Sequence, residues 1–171
     1  MEQERKGVVT FKGNPLTLIG NEVKVGQKAP EFSVLDGSLQ PVTLASSKGK
    51  WRLLIAVPSL DTPVCDTEAR KFNQEASALP GVEASIISMD LPFAQGRFCQ
   101  TAGLKIRTTS DHRDASFGNA YGVLIKELRL LARAVFVIDP NDVVQYAEYV
   151  KEVTTEPNYA AALNTLKAAA H

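Results

Sequence analysis

The chain has few of the side chains that bind metals or form structural disulfides. Its 171 residues include only two cysteines, Cys65 and Cys99, and two histidines, His112 and His171. Two histidines, one in a predicted solvated loop and one at the last position, are too few for a histidine-based metal centre, so no metal site is expected. The cysteines form no Cys-x-x-Cys pair, which excludes the oxidoreductases that depend on that motif.

An excess of one charge and a long apolar run are also absent. Lysine and arginine together number 19, as do aspartate and glutamate, so the formal net charge is zero. This balance gives no reason to expect a nucleic acid or an anionic membrane as a partner. No apolar run reaches transmembrane length, and the charged residues 1–6 are not followed by a signal-peptide core. We therefore expect a cytoplasmic protein, in which disulfides are usually transient and catalytic.

The length and apolar content of the chain predict one folded domain spanning residues 1–171. Hydrophobic residues make up 44% of the sequence, which is enough for a substantial core. The apolar pattern predicts an N-terminal β-hairpin, two buried central strands, helices between and after them, a second hairpin and a closing helix. The predicted elements are 8–11, 16–19, 32–34, 42–44, 51–57, 63–79, 82–89, 93–102, 115–121, 133–138, 143–150 and 157–170.

The order of these elements predicts an α/β fold. Residues 51–57 form an apolar run that is typical of a strand buried on both faces, and 82–89 are predicted to form a second buried strand, parallel to the first and joined to it by a crossover helix. An antiparallel hairpin continues the sheet, and helices cover both faces, with Phe117 and Tyr121 as predicted core residues. Residues 58–65 follow the carboxyl end of the first central strand, where open α/β sheets place their functional sites.

Cys65 lies at the predicted start of a helix. Thr62 is a good N-cap residue and Pro63 suits the first helical position, so Cys65 is expected to be the third helical residue. Its sulfur then lies near unpaired backbone N–H groups at the positive end of the helix dipole. This environment favours the thiolate, which is the reactive form of cysteine. Cys99 has no comparable features around it.

The segment around Cys65 resembles a known signature. Residues 58–65, Pro-Ser-Leu-Asp-Thr-Pro-Val-Cys, match the Pro-x-x-x-Thr-x-x-Cys pattern of peroxiredoxins. The similarity is nearly end to end: segments 11–15, 65–73, 90–99 and 133–139 resemble the bacterial thiol peroxidases, a group of atypical two-cysteine peroxiredoxins. The resemblance implies a thioredoxin-like fold, with a mixed central β-sheet flanked by helices and an extra N-terminal β-hairpin.

The resemblance also implies an activity and roles for particular residues. Cys65 corresponds to the peroxidatic cysteine, which attacks a hydroperoxide and becomes a sulfenic acid, and Cys99 to the resolving cysteine of the same chain. Thr62 and Arg133 correspond to the groups that hold the sulfur and the peroxide oxygens, and Pro58 to the residue that shields the pocket. The implied substrate-binding residues are Pro58, Thr62, Val64 and Arg133. Members of this family use no cofactor, form homodimers and are reduced by thioredoxin, so these are the expected partners.

Acidic neighbours of Cys65 oppose the formation of a thiolate, because nearby negative charge disfavours a second anion. They are Asp61, Asp66 and Glu68. A cation must compensate for them, and Arg70 and Lys71 are close in sequence. The geometry of the helix favours Arg133 as this cation, because Arg133 comes from another strand. Its side chain stays charged at any relevant pH.

Two other functions are consistent with a reactive pair of cysteines. The first is a redox-sensing interaction protein in which a disulfide between Cys65 and Cys99 changes a binding surface. The second is a holdase-like chaperone role of the oxidised form. Consumption of hydrogen peroxide or cumene hydroperoxide in the presence of thioredoxin and its reductase separates an enzyme from both alternatives.

Overall fold

The computed structural model describes residues 3–76 and 79–169, and these residues form two β-sheets flanked by four α-helices. The strands are β1 (Glu4–Phe11), β2 (Asn14–Ile19), β3 (Ser33–Leu35), β4 (Pro41–Thr43), β5 (Trp51–Ala56), β6 (Val82–Ser88), β7 (Arg107–Ser110), β8 (Leu124–Ile125), β9 (Leu130–Leu131), β10 (Ala134–Ile138) and β11 (Val144–Tyr149). The helices are α1 (Pro63–Ala76), α2 (Pro92–Ala102), α3 (Ser116–Ala120) and α4 (Tyr159–Ala169).

The larger sheet contains seven strands in the order β11-β10-β5-β6-β7-β3-β4. Strands β5, β6 and β7 are parallel, whereas β10 is antiparallel to both β5 and β11. The predicted mixed sheet is therefore confirmed. Because β10 runs against β5, its first residue pairs with the last residue of β5, Ala134 with Ala56. The start of β10 and the carboxyl end of β5 thus lie at the same end of the sheet.

Alternate side chains of β5 pack on opposite faces of this sheet, as the pleat of a strand requires. Ile55 joins an apolar cluster that includes residues of α1 and α4. Leu54 joins a second cluster that includes α3 and the smaller sheet. Helices thus lie on both faces, as predicted, but the second face is covered by a sheet as well. Phe117 and Tyr121 have no exposed surface, which confirms that they are core residues.

The smaller sheet has the strand order β1-β2-β8-β9 and contains the predicted N-terminal hairpin. Strands β8 and β9 were not predicted because two residues each are too short to show a periodic pattern. Strand β7 in the larger sheet was also not predicted. Its sequence, Arg-Thr-Thr-Ser, lacks the apolar residues that mark a buried strand.

The helices differ from prediction mainly at their ends. α1 was expected to extend to Leu79, but Leu79 is not helical; residues 77 and 78 lie outside the described residues. α4 begins two residues later than predicted because Asn158 is its N-cap: the side-chain oxygen of Asn158 accepts from Ala161 N at 3.1 Å. Residue 170, the predicted end of α4, is also outside the described part of the chain. No helix in that part is long and apolar enough to cross a membrane.

Candidate active site

The loop between β5 and α1 brings Cys65 to the carboxyl end of a central strand. The carbonyl of Thr62 accepts the first helical hydrogen bond, from Asp66 N at 2.9 Å, so Thr62 occupies the N-cap position. Cys65 is therefore the third residue of α1, as predicted, and its side chain is fully buried. Pro58, at the start of the loop, is also buried.

Arg133 reaches the same place from a distant part of the sequence. It immediately precedes β10, whose pairing with β5 places it beside the carboxyl end of that strand. Arg133 Nη1 lies 3.3 Å from Cys65 Sγ, and Arg133 Nε donates to the carbonyl of Val153 at 3.0 Å. The arginine is only 2% exposed. A buried positive charge thus faces the sulfur, as the acidic surroundings of Cys65 required.

Glu68 completes a buried group of three side chains, with Cys65 and Arg133. It lies one helical turn after Cys65, has no exposed surface, and accepts a hydrogen bond from Arg133 Nη1. Burial raises the pKa of Glu68 to about 7, although the charge and hydrogen bond of Arg133 act in the opposite direction. Burial also disfavours the charged form of Arg133, but the charges of Glu68 and Cys65 outweigh it, so the pKa of Arg133 is raised.

Three other charged residues that are close to Cys65 in the sequence contact other partners. Asp66 pairs with Arg70 at the surface, with 2.6 Å between Oδ1 and Nε. Lys71 is exposed and lies over the ring of Tyr159. The structure therefore brings Arg133, and neither local cation, into contact with Cys65. Sequence reasoning treated Glu68 only as a charge opposing the thiolate and missed its contact with Arg133.

Thr62 and Val64 lie on the outer side of the helix start. The hydroxyl of Thr62 is exposed and donates to the carbonyl of Ser59 at 2.9 Å, which closes the turn before α1. Val64 is half-buried and lines an open surface groove of about 400 Å³ with Pro63, Thr67 and residues 154–156. Thr62 and Val64 thus lie three residues and one residue before Cys65 in the chain, and the hydrogen bond of the Thr62 side chain goes to Ser59 rather than to the sulfur.

Cys99 lies on α2, on a different helix from Cys65, and is half-buried. Its sulfur is 3.5 Å from Thr108 Oγ1 on β7. Both cysteines are free thiols in this structure, and each sulfur has its own polar neighbour. His112 lies in a turn, half-buried, where its backbone N–H donates to Ser110 Oγ. Across residues 3–76 and 79–169, His, Cys, Asp and Glu side chains form no group of three that could hold a metal ion.

Comparison with known proteins places this geometry in a family. The family model described as Redoxin matches residues 24–163. A thiol peroxidase of Halalkalibacterium halodurans is 64% identical over 162 residues, which cover 94% of this chain and 98% of that protein. A thiol peroxidase of Bacillus subtilis is 56% identical over 161 residues, which cover 94% and 96%. The crystal structure of a peroxiredoxin-like protein from Aquifex aeolicus matches with a TM-score of 0.89 and 44% identity, over 95% of this chain and 96% of that one.

The class of the protein follows from these matches together with the fold. The chain belongs to the redoxin family, in the group of thiol peroxidases. Its fold is the thioredoxin-like fold that the sequence resemblance implied. It is a peroxidase, an oxidoreductase of the peroxiredoxin type.

Proposed function

We propose that the chain reduces hydrogen peroxide and organic hydroperoxides with Cys65 as the peroxidatic cysteine and Cys99 as the resolving cysteine. The observation that carries the proposal is the 3.3 Å contact between Cys65 Sγ and Arg133 Nη1 in the protein interior. Arginine does not lose its proton at any relevant pH, so it offers the sulfur a permanent positive charge. A thiolate at the start of α1 is stabilised by this charge and by the helix dipole together.

In the first step the Cys65 thiolate attacks one oxygen of the peroxide. An S–O bond forms, the O–O bond breaks, and the leaving oxygen takes up a proton and departs as water or an alcohol. The sulfur is oxidised to a sulfenic acid. Arg133 and the N–H groups of the first turn of α1 stabilise charge that develops on the leaving oxygen. Thr62 orients the peroxide, and Pro58 and Val64 enclose it.

In the second step the Cys99 thiol attacks the sulfenic sulfur, water departs, and an intramolecular disulfide forms. Cys65 is fully enclosed, and the two sulfurs contact different partners, Arg133 and Thr108. A disulfide requires Cα atoms within about 7 Å of each other. We infer that the first turn of α1 and the Cys99 segment of α2 unwind before the bond forms.

A dithiol reductant returns the enzyme to its starting state. We assign this role to thioredoxin, whose two thiols become a disulfide while Cys65 and Cys99 become thiols again. The enzyme then works as a cytoplasmic homodimer and serves antioxidant defence. The identity of 56–64% to thiol peroxidases over almost the whole chain supports this assignment.

Steady-state peroxide consumption tests the proposed function. With thioredoxin, thioredoxin reductase and NADPH, we expect NADPH oxidation that depends on hydrogen peroxide or cumene hydroperoxide and is proportional to the concentration of the chain. Omission of thioredoxin should stop the reaction after a single oxidation of the protein. A chain that turns over no peroxide would contradict the proposal and favour the redox-sensing alternative.

Arg133→Lys should slow the reaction of the reduced protein with hydrogen peroxide by about 10²–10³-fold. A lysine ammonium is a compact point charge, so it cannot contact Cys65, Glu68 and the Val153 carbonyl at once, as the guanidinium does. Stopped-flow measurement of the second-order rate constant in a single turnover reports this step alone.

Arg52→Lys is the matched control for this substitution. Arg52 is also almost fully buried and ion-paired, with Asp142, but it lies near the opposite end of β5 from Cys65. The control variant should react with peroxide at the wild-type rate. If Arg133→Lys also reacted at that rate, Arg133 would have no part in the chemistry.

Glu68→Gln should react with hydrogen peroxide faster than the wild type above about pH 7, by up to about tenfold, and at a similar rate well below that pH. Burial raises the pKa of Glu68 to about 7, so above neutral pH its carboxylate competes with the Cys65 sulfur for Arg133. Glutamine keeps an acceptor oxygen for Arg133 but never ionises, so this competition is absent at every pH. The second-order rate constants of both proteins, measured as a function of pH, give the ratio.

Asp66→Asn provides the control, because Asp66 is an acidic neighbour of Cys65 that pairs with Arg70 at the exposed surface. Its removal should leave the rate unchanged at every pH, since exposed charges are screened by solvent. A Glu68→Gln variant that reacts no faster than the wild type above neutral pH would refute the competition for Arg133.

A further inference from the structure

The helix that carries Cys99 is weakly anchored in the fold. Of the eleven residues of α2, only Pro92 and Gln95 are buried, and Phe93 is 69% exposed. A helix with so few buried residues opens at a low free-energy cost. Its specific hydrogen bonds to the sheet therefore contribute much of what holds it in place.

Gln95 connects α2 to a polar network at the ends of β6 and β7. Its Nε2 donates to Ser88 Oγ at 2.9 Å and to the carbonyl of Thr109 at 2.7 Å. The Ser88 hydroxyl in turn donates to Asp90 Oδ2 at 2.8 Å. Cys99 follows Gln95 by about one helical turn. The network therefore runs from a carboxylate to the turn of α2 that precedes the resolving cysteine.

The same carboxylate holds the loop that leads to Cys65. Asp90 Oδ1 accepts from Ser59 Oγ at 2.7 Å, and Asp90 Oδ2 accepts from Leu60 N at 2.9 Å. The carbonyl of Ser59 accepts from the Thr62 hydroxyl, which continues the connection to the N-cap of α1. One side chain thus bonds both to the loop before Cys65 and to the network that anchors α2.

Packing between the loop and α2 is incomplete. A cavity of about 190 Å³ separates them, lined by Leu60 and Asp61 on the loop side and by Ala94, Arg97 and Phe98 on the helix side. Side chains that do not fill the space between two segments gain little dispersion energy there. The hydrogen bonds of Asp90 are therefore a principal connection between the segments that carry the two cysteines.

We propose that Asp90 is a positioning residue that latches the loop 58–62 to α2 and restrains the unwinding that disulfide formation requires. This inference rests on the proposed two-cysteine cycle. With the latch closed, Cys65 faces Arg133 and reacts with peroxide. When it opens, both segments are released together, and the Cys99 thiol displaces water from the Cys65 sulfenic acid. Asp90 thereby sets the balance between the peroxide-reactive state and the disulfide-forming state.

Asp90→Asn tests the latch, because it replaces one acceptor oxygen of the carboxylate with an amide donor of nearly equal size. Reduced full-length protein is mixed with one equivalent of hydrogen peroxide, quenched with acid and analysed by intact mass. We expect conversion of the sulfenic acid to the disulfide roughly tenfold faster than in the wild type. Less sulfinic acid should form with excess peroxide, because the sulfenic acid is consumed sooner.

Ser59→Ala is a milder second variant that removes one donor to Asp90 from the loop side. It should accelerate disulfide formation in the same direction by a smaller factor. If disulfide formation were unchanged or slower in both Asp90→Asn and Ser59→Ala, the proposed role of Asp90 would be wrong.

Asp111→Asn separates the latch from a general loss of stability. Asp111 is a buried carboxylate that accepts from Phe117 N at 3.0 Å and Gly118 N at 2.8 Å, so it holds α3 rather than the Cys65 loop. Its variant should form the disulfide at the wild-type rate although its thermal stability falls. Equal acceleration in the Asp90 and Asp111 variants would show that any loosening of the fold suffices, contrary to the proposal.

Hydrogen exchange of the reduced proteins tests the latch without the catalytic cycle. Asp90→Asn should increase amide exchange in residues 58–65 and 92–102 together, whereas Asp111→Asn should increase it in neither. An increase confined to one of the two segments would contradict a shared latch. A wild type that forms no intramolecular disulfide would refute the proposed cycle instead. The exchange data would still show whether Asp90 restrains both segments.

Discussion

Replacing Cys65 with serine should abolish peroxide turnover in the thioredoxin-coupled assay. A serine hydroxyl cannot replace the thiolate, because its oxygen is not oxidised by peroxide, so the reaction stops before its first step. We expect NADPH oxidation at the uncatalysed background rate. Because the substitution exchanges sulfur for oxygen at a buried position, thermal unfolding and circular dichroism must establish that the variant is folded.

Loss of activity alone does not identify the attacking sulfur, so the oxidised product must be followed as well. In Cys65→Ser, one equivalent of peroxide should leave the intact mass of the protein unchanged on the timescale of wild-type oxidation. The remaining Cys99 lies in the middle of α2 without a contacting arginine in the described structure, so it should react slowly. A folded Cys65→Ser variant that still turns over peroxide would contradict the assignment of Cys65.

Cys99→Ser should also eliminate thioredoxin-linked turnover, but at a later step. Cys65 should still react once with peroxide at close to the wild-type rate, because its contact with Arg133 does not involve Cys99. The sulfenic acid then has no second thiol in the chain with which to condense. We expect a rapid gain of one oxygen atom in the intact mass, followed by sulfinic acid when peroxide is in excess.

Ala102→Ser controls for the introduction of a serine into α2. Ala102 is half-buried on the same helix as Cys99, and its replacement should leave turnover intact. If Cys99→Ser retained full turnover, Cys99 would not be the resolving cysteine, and reduction of the sulfenic acid would have to occur directly from the external thiol.

The central part of the fold could be predicted because its strands are buried on both faces. The predicted buried strands 51–57 and 82–89 correspond to β5 and β6, which are parallel as expected. Strand β7 could not be predicted because a polar sequence is stabilised there by its neighbours β6 and β3. Likewise, the two-residue strands β8 and β9 depend on pairing with β2 and with each other. Such pairings join distant segments and leave no local pattern.

In the candidate site, too, the features set by nearby residues could be predicted, and those set by contacts between distant segments could not. Thr62 and Pro63 predicted the start of α1, so the position of Cys65 as the third helical residue followed from local sequence. Arg133 was implied by the resemblance to thiol peroxidases and fitted the need for a cation near the acidic neighbours of Cys65, and the structure brings it to the sulfur. Glu68 was interpreted only as a repulsive charge. Its position one turn after Cys65 was visible, but its burial and its bond to Arg133 arise from the packing of β10 against β5.

The central claim is that reduction of one peroxide leaves a disulfide between Cys65 and Cys99 within one chain. Intact mass spectrometry of the reduced protein, before and after one equivalent of hydrogen peroxide, tests it most directly. We predict the loss of the mass of two hydrogen atoms per chain and no covalent dimer under non-reducing conditions. A stable gain of one oxygen atom, or a disulfide-linked dimer, would contradict the claim.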